Sequence, residues 1–286
     1  MTTAATTQSA EKSKFKIIKK SSKFTGEKSV KTPREMLHFL TFSIQKRRVN
    51  EKGEKMPVKT VKDYGNFILE YVAPEQVTVI DIKRLIGIFK FFQDFEKDII
   101  ISEIPQPNNQ PPKIVYSLNN INFFKFCKNY TGAGKGNEKD VAESLTRLNN
   151  YVITRTEKTN SVNKFPTRYL YDFTIKDNIA SFTILKLVYE RIKAEGLIVK
   201  FDTLLKIKKN TAIALYLFLA GQNKQNFKET TLLNALGLEN NYHSRELLKE
   251  SFYQLCSVGF LTFKNNELIR KEPDGNYYDF IYFKIK

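Results

Sequence analysis

Tryptophan is absent from this chain of 286 residues, and cysteine and histidine occur twice each. The cysteines, Cys127 and Cys256, lie far apart among apolar neighbours. They frame neither a disulfide scaffold nor a zinc site, and each is expected to pack as a small core residue, which suits a reducing cytoplasm. The histidines, His38 and His243, are equally distant. Their separation excludes the closely spaced pair that a metal-dependent nicking site requires, and no Cys/His cluster or run of carboxylates offers another metal site. No metal or cofactor is expected. No apolar run approaches the roughly eighteen residues of a membrane span. The first residues, Met1–Ala10, are small and polar, without the apolar segment of a secretory signal.

Acidic residues are also scarce. There are 30 Asp and Glu against 47 Lys and Arg, a formal net charge of +17. Such a charge repels itself in a compact fold unless a polyanion offsets it, and nucleic acid is the first candidate. An anionic membrane surface comes second. A lysine-rich composition that serves only solubility is the third reading. The distribution favours the first, because residues 1–62 hold 16 basic and 5 acidic side chains, a net of +11. What the chain has in plenty is material for a core, with 41% hydrophobic residues, including 23 Phe and 14 Tyr.

Residues 1–30 lack periodicity and are rich in Thr, Ser and Lys, so they read as a disordered basic arm able to touch phosphates without regard to sequence. Pro33–Gln45 suits a helix opened by proline. Val77–Phe95 places Ile82, Leu85, Ile86, Phe89 and Phe92 at helical spacing, which predicts a buried helix. The prolines between Pro105 and Pro112 exclude a helix there and fit a connection between strands. A repeating order of strand, helix, helix and hairpin follows. In its first copy Val115–Leu118 is a strand, and Asn119 or Asn120 caps a helix bearing Ile121, Phe124 and Cys127. Gly132–Gly136 is a turn, and Asn137–Asn149 is a helix with Val141, Leu145 and Leu148 inward. Tyr151–Thr156 and Arg168–Ile175 form a hairpin around a basic tip. In the second copy Leu197–Phe201 is a strand, and Lys209–Ala220, Glu229–Leu236 and Tyr242–Ser257 are helices. Phe260–Phe263 then pairs with Tyr277–Lys284 across a turn containing Pro273-Asp274-Gly275.

A helix, a tight turn, a second helix and a twisted hairpin make the winged variant of helix-turn-helix, in which the second helix enters the major groove and the hairpin follows the backbone. The expected class is therefore α+β, with tandem winged-helix domains at 31–180 (with extra helices) and 181–286 after the arm at 1–30. In the first unit the outward candidates are Lys135, Asn137, Lys139, Ser144 and Arg147, with Arg155, Lys158, Lys164 and Arg168 in the wing. In the second they are Asn241, His243, Ser244, Arg245 and Lys249, with Lys264, Arg270 and Lys271 in the wing. Arg245 is the strongest candidate for a bidentate contact to guanine. Singly, each of these is an ordinary solvated surface residue, and only the arrangement occurring twice points to double-stranded DNA. An enzyme is not expected. The glycines at 132–136 lack the G-x-x-x-x-G-K-[ST] spacing that cradles phosphates.

Two stretches carry a family resemblance: Lys209-Asn210-Thr211-Ala212-Ile213-Ala214-Leu215-Tyr216-Leu217-Phe218-Leu219, and Arg245-Glu246-Leu247-Leu248-Lys249 running on to Leu255 and Gly259-Phe260-Leu261. Together with Val141–Leu148 and Tyr151-Val152-Ile153, they resemble the plasmid replication initiator (Rep) proteins with two winged-helix domains. The resemblance rests on Val115–Lys286. It implies a protein that binds repeats at a plasmid origin, promotes opening of an AT-rich segment and recruits host helicase and polymerase. It also implies a homodimer through the first winged-helix domain, acting as a repressor. The basic segment before Val115 departs from the pattern. A transcriptional repressor of the same fold is the alternative function, and a nucleoid-like protein coating DNA by charge is a third.

Overall fold

The computed structural model describes residues 29–33, 36, 56–63, 67–106, 111–134, 136–158, 164–222, 226–262, 270–271, 280–282 and 284–285. The first strand, β1 (Ser29–Thr32), alternates half-buried and buried residues and so presents Val30 and Thr32 to the core. Ser29 and Val30 thus belong to the fold and not to the arm expected at 1–30. Of the helix expected at Pro33–Gln45, only Pro33 and Met36 fall among the described residues, and Met36 is buried.

Strands β2 (Val58–Asp63) and β3 (Phe67–Ala73) precede α1 (Val79–Asp94), the long apolar helix predicted from its periodicity. Its start is capped by Asp81, whose Oδ2 accepts from the backbone N–H and the hydroxyl of Thr78 at 2.8 and 3.0 Å. Nearly every side chain of α1 is buried, so the helix is the axis of the core rather than a surface element. Gly87 lies mid-helix because the Tyr130 carbonyl oxygen occupies the space, and a Cβ there would stand 2.0 Å from it.

A hairpin follows, β4 (Ile100–Ile104) with β5 (Lys113–Asn122), joined across the proline segment as expected. The next helix begins later than predicted. Ile121 still belongs to β5, which bulges between Leu118 and Ile121 with Asn120 at φ 58°, and the cap is Asn122, whose side chain accepts from Lys125 N. The short α2 (Phe123–Phe126) winds on as a wider turn over Cys127–Thr131. After the glycine turn comes α3 (Glu138–Asn149), packed on α1 with Val141, Leu145 and Leu148 inward.

The predicted single hairpin after α3 is two structures. Strands β6 (Val152–Glu157) and β7 (Lys164–Arg168) pair with each other and continue the sheet of β2 and β3, in the order β2-β3-β6-β7. Asp172–Lys176 (β8) instead turns back through Asp177 and Asn178, both at positive φ, to pair with β9 (Ile179–Leu185) in a second sheet, β4-β5-β9-β8. All neighbours in both sheets run antiparallel.

The last third follows its predicted order. Helix α4 (Lys186–Glu195) leads to β10 (Leu197–Lys200), which pairs with β1, and Phe201 opens α5 (Phe201–Lys206) rather than ending the strand. Helix α6 (Asn210–Ala220) is buried on every side and packs against α1, joining both halves in one apolar core. Strand β11 (Asn226–Lys228), α7 (Glu229–Ala235) and α8 (Tyr242–Ser257) follow. Then β12 (Leu261–Thr262), β13 (Arg270–Lys271), β14 (Phe280–Tyr282) and β15 (Lys284–Ile285) close the chain. Thr262 of β12 pairs with Lys284 of β15, at the end of the expected partner segment, while Phe280–Tyr282 within that segment pairs instead with β11 and β13. Phe263 and the Pro273-Asp274-Gly275 turn lie outside the described residues.

Candidate nucleic-acid interface

Two helices followed by paired strands occur twice, and the first copy corrects two site assignments. Ser144 and Arg147 do not face outward from α3; they are 0% and 1% exposed. Both turn onto Asp81 of α1, which accepts from the Ser144 hydroxyl, from Arg147 Nη2 at 2.7 Å and from Arg147 Nε at 3.1 Å. Burial alone would raise the Asp81 carboxyl, but Arg147, Ser144 and the Thr78 N–H outweigh it and hold it below the ordinary 3.8. Spacing could not separate these residues from an outward face, because the carboxylate that claims them lies on another helix.

What α3 does present is Asn137, Lys139, Asp140 and Thr146, with Glu138 and Glu143 half-buried. Three carboxylates against one lysine make a poor partner for phosphates or the acceptor-rich major groove. The strands after α3 carry more positive charge. Lys158 is exposed and ion-paired to Asp63 at 2.7 Å, while Arg168 is exposed at the end of β7. Arg155 is half-buried, its guanidinium 4.4 Å from the centre of the Phe67 ring. Lys164 is the first residue of β7 rather than part of a loop tip, and Lys135 lies outside the described residues.

The second copy presents α8. Asn241 is its N-cap, and its side-chain oxygen accepts from Ser244 N at 2.9 Å. Ser244, expected outward, is buried. Arg245 is three-quarters covered: Nη2 and Nε donate to Asn240 Oδ1 at 2.8 and 3.1 Å, and Nε stands 3.1 Å from Glu229 Oε1 at the start of α7. Lys249 is half-buried and lies 3.7 Å from Glu246. Fully outward are His243 and Tyr242, the latter 80% exposed. Arg270 and Lys271 form β13, and Lys264 lies outside the described residues.

Sequence reasoning passed over Tyr242, whose signal was its place immediately after the cap. It also passed over Lys206, Lys208 and Lys209, all exposed at the entry to α6. Lys209 donates to Glu250 of α8 at 2.6 Å and thereby holds that carboxyl below its ordinary range. Among the described residues no group of three or more His, Cys, Asp or Glu side chains could hold a metal ion, and no helix is long and apolar enough to cross a membrane.

The geometry defines a chain of helices and antiparallel sheets in which α8 presents Tyr242 and His243 outward at its start. No protein-family model matches it, and no curated protein does. Among solved structures it is similar to the crystal structure of selenomethionine derivatives of domain 2 and domain 3 of RctB. That likeness has a TM-score of 0.59 at 14% identity, over 90% of this chain and 99% of that one. A second crystal structure, of RctB domains 2-3, gives a TM-score of 0.48 at 12% identity over 86% and 94%. At such identities what is shared is the fold.

Proposed function

We propose that this chain is a sequence-specific double-stranded DNA-binding replication initiator built from two winged-helix units, and not an enzyme. The observation that carries the reading is the second unit. A buried helix α6, a short strand β11, helices α7 and α8 and a closing set of strands follow in that order, and β11 shares a sheet with β14 and β13. This order supports the winged-helix reading, in which α8 takes the place of the recognition helix. The net charge of +17 supports a polyanionic partner. The fold shared with domains 2 and 3 of RctB supports the architecture. The role in replication, with repeats at a plasmid origin and recruitment of host helicase and polymerase, is drawn from the resemblance to the Rep proteins.

A homodimer through the first unit belongs to the same reading. Among the described residues nothing pairs with the outer edge of β4, where Ile100 and Ile101 are exposed. An apolar strand with a bare edge is a template for a second strand. The test is a footprint of the purified chain on the DNA flanking its own gene. Protected repeats beside an AT-rich stretch are expected. One protected operator without such a stretch would assign a repressor instead, and featureless coating would overturn sequence-specific binding.

A further inference from the structure

If α8 is the recognition helix, the residue most suited by type to read a base is Arg245, yet it is the one whose donors are already committed. A bidentate contact to guanine needs two guanidinium donors aimed along one direction. Nε and Nη2 of Arg245 both point at Asn240, and Nε also faces Glu229, a carboxylate only 5% exposed. Turning Arg245 toward DNA would take the cation away from that buried carboxylate, which is costly in a low-dielectric setting. Glu229 is the first residue of α7, and Arg245 lies in the first turn of α8. Their contact therefore fixes the start of one helix on the start of the other.

The cap residue Asn241 is likewise spent on Ser244 N, and Ser244 itself is buried. That leaves Tyr242 and His243 as the outward side chains of the first helical turn. A helix entering the major groove does so with its N-terminal residues against the base edges. A tyrosine offers a hydroxyl on an apolar ring, and an imidazole offers two ring nitrogens for hydrogen bonds, so both suit base edges and thymine methyls.

Resting on the DNA-binding reading, we infer that Tyr242 and His243 make the base contacts of α8. Arg245 is a positioning residue that sets the helix through Glu229 and Asn240. Sequence preference then resides in these two exposed side chains, and affinity for the backbone resides elsewhere.

The experiment selects duplexes from a library randomised over about 20 base pairs, two helical turns, with the full chain and its variants. Tyr242→Ala and His243→Ala are expected to lose the base preference at neighbouring positions and to weaken binding of the selected duplex about tenfold. The thermal midpoint should stay unchanged for both, since neither side chain is buried, and the dependence of affinity on salt should stay unchanged for Tyr242→Ala, since a tyrosine hydroxyl neutralises no phosphate. Arg245→Ala and Glu229→Gln are both expected to lower the thermal midpoint and weaken the selected duplex while enriching the same bases. Arg245→Lys should recover most of that loss. The inference is overturned if Arg245→Ala changes which base is selected at an unaltered thermal midpoint, or if both exposed variants keep the full preference. If the unsubstituted chain enriches no sequence at all, the DNA-binding reading falls and takes the inference with it.

Discussion

Arg147 on α3 lays two guanidinium nitrogens on the carboxylate of Asp81 on α1, at 2.7 and 3.1 Å, in a site from which solvent is excluded. The pair couples the two helices of the first unit at the point where α1 begins, and Ser144 and Thr78 complete the shell around the carboxylate. Arg147→Ala should therefore cost about 3–5 kcal/mol in urea denaturation, because it strands a buried charge. It should leave the selected DNA sequence unaltered. Acid titration gives an independent check. The folded carboxyl lies below its ordinary 3.8, so its stabilisation is present above that value and is lost as pH falls through the lower folded one. Asp81→Asn should remove this part of the acid transition. Unchanged urea stability in Arg147→Ala would refute the assignment.

Lys83 makes the opposite prediction on the alkaline side. Its ammonium donates to the carbonyls of Ile207 and Leu205 at 3.1 and 3.3 Å, at the end of α5. Burial first, and then the neighbouring Arg84, brings it down to about 8 from 10.5. Between those values the unfolded chain holds a proton that the folded chain has released, so stability rises with pH across that window. Denaturation midpoints measured from pH 8 to 10 should climb in the unsubstituted chain relative to Lys83→Met. Parallel curves would show that Lys83 titrates normally.

Removing residues 1–28, which precede β1, should weaken binding to every duplex alike. For every phosphate that the shortened chain no longer neutralises, the slope of log affinity against log salt becomes shallower by about 0.9. Titrations at several salt concentrations on specific and scrambled duplexes test this. A changed base preference with an unchanged slope would make the arm a reader of sequence.

The purified chain should neither hydrolyse ATP nor nick supercoiled DNA. The glycines of residues 132–136 lack a phosphate-loop spacing, and His38 and His243 stand far apart in sequence. Cleavage abolished by a point substitution within this chain would contradict that expectation.

The long helices were legible because each carries its own boundary. Val77–Phe95 announced α1 by apolar spacing, and Tyr242–Ser257 was bounded by the cap at Asn241 and by Gly259 at φ 75°. The pairing of β8 with β9 was not legible. Ala180, Phe182 and Ile184 do alternate with Ser181 and Thr183, but the turn that sets the pairing depends on Asp177 and Asn178 adopting positive φ, which composition permits but does not require. The site was read least well where polarity served the interior. Ser144, Arg147 and Ser244 look like surface residues until their partners are known, and Asp81 lies more than sixty residues away from Arg147 in sequence. Arg245 lies on the expected helix, and its contacts with Asn240 and Glu229 could not be read from spacing.

The pairing of β1 with β10 has a consequence for the order in which the molecule is made. The hydroxyl of Thr32 donates to Leu197 O across 165 residues of sequence. A ribosome adding about 5–20 residues per second needs roughly 10–30 s to traverse that interval. Throughout it, Val30 and Thr32 have no strand to join. The earliest strand described thus cannot be paired until Lys200 has been made, and the core helix α6 and the closing strands are added later still.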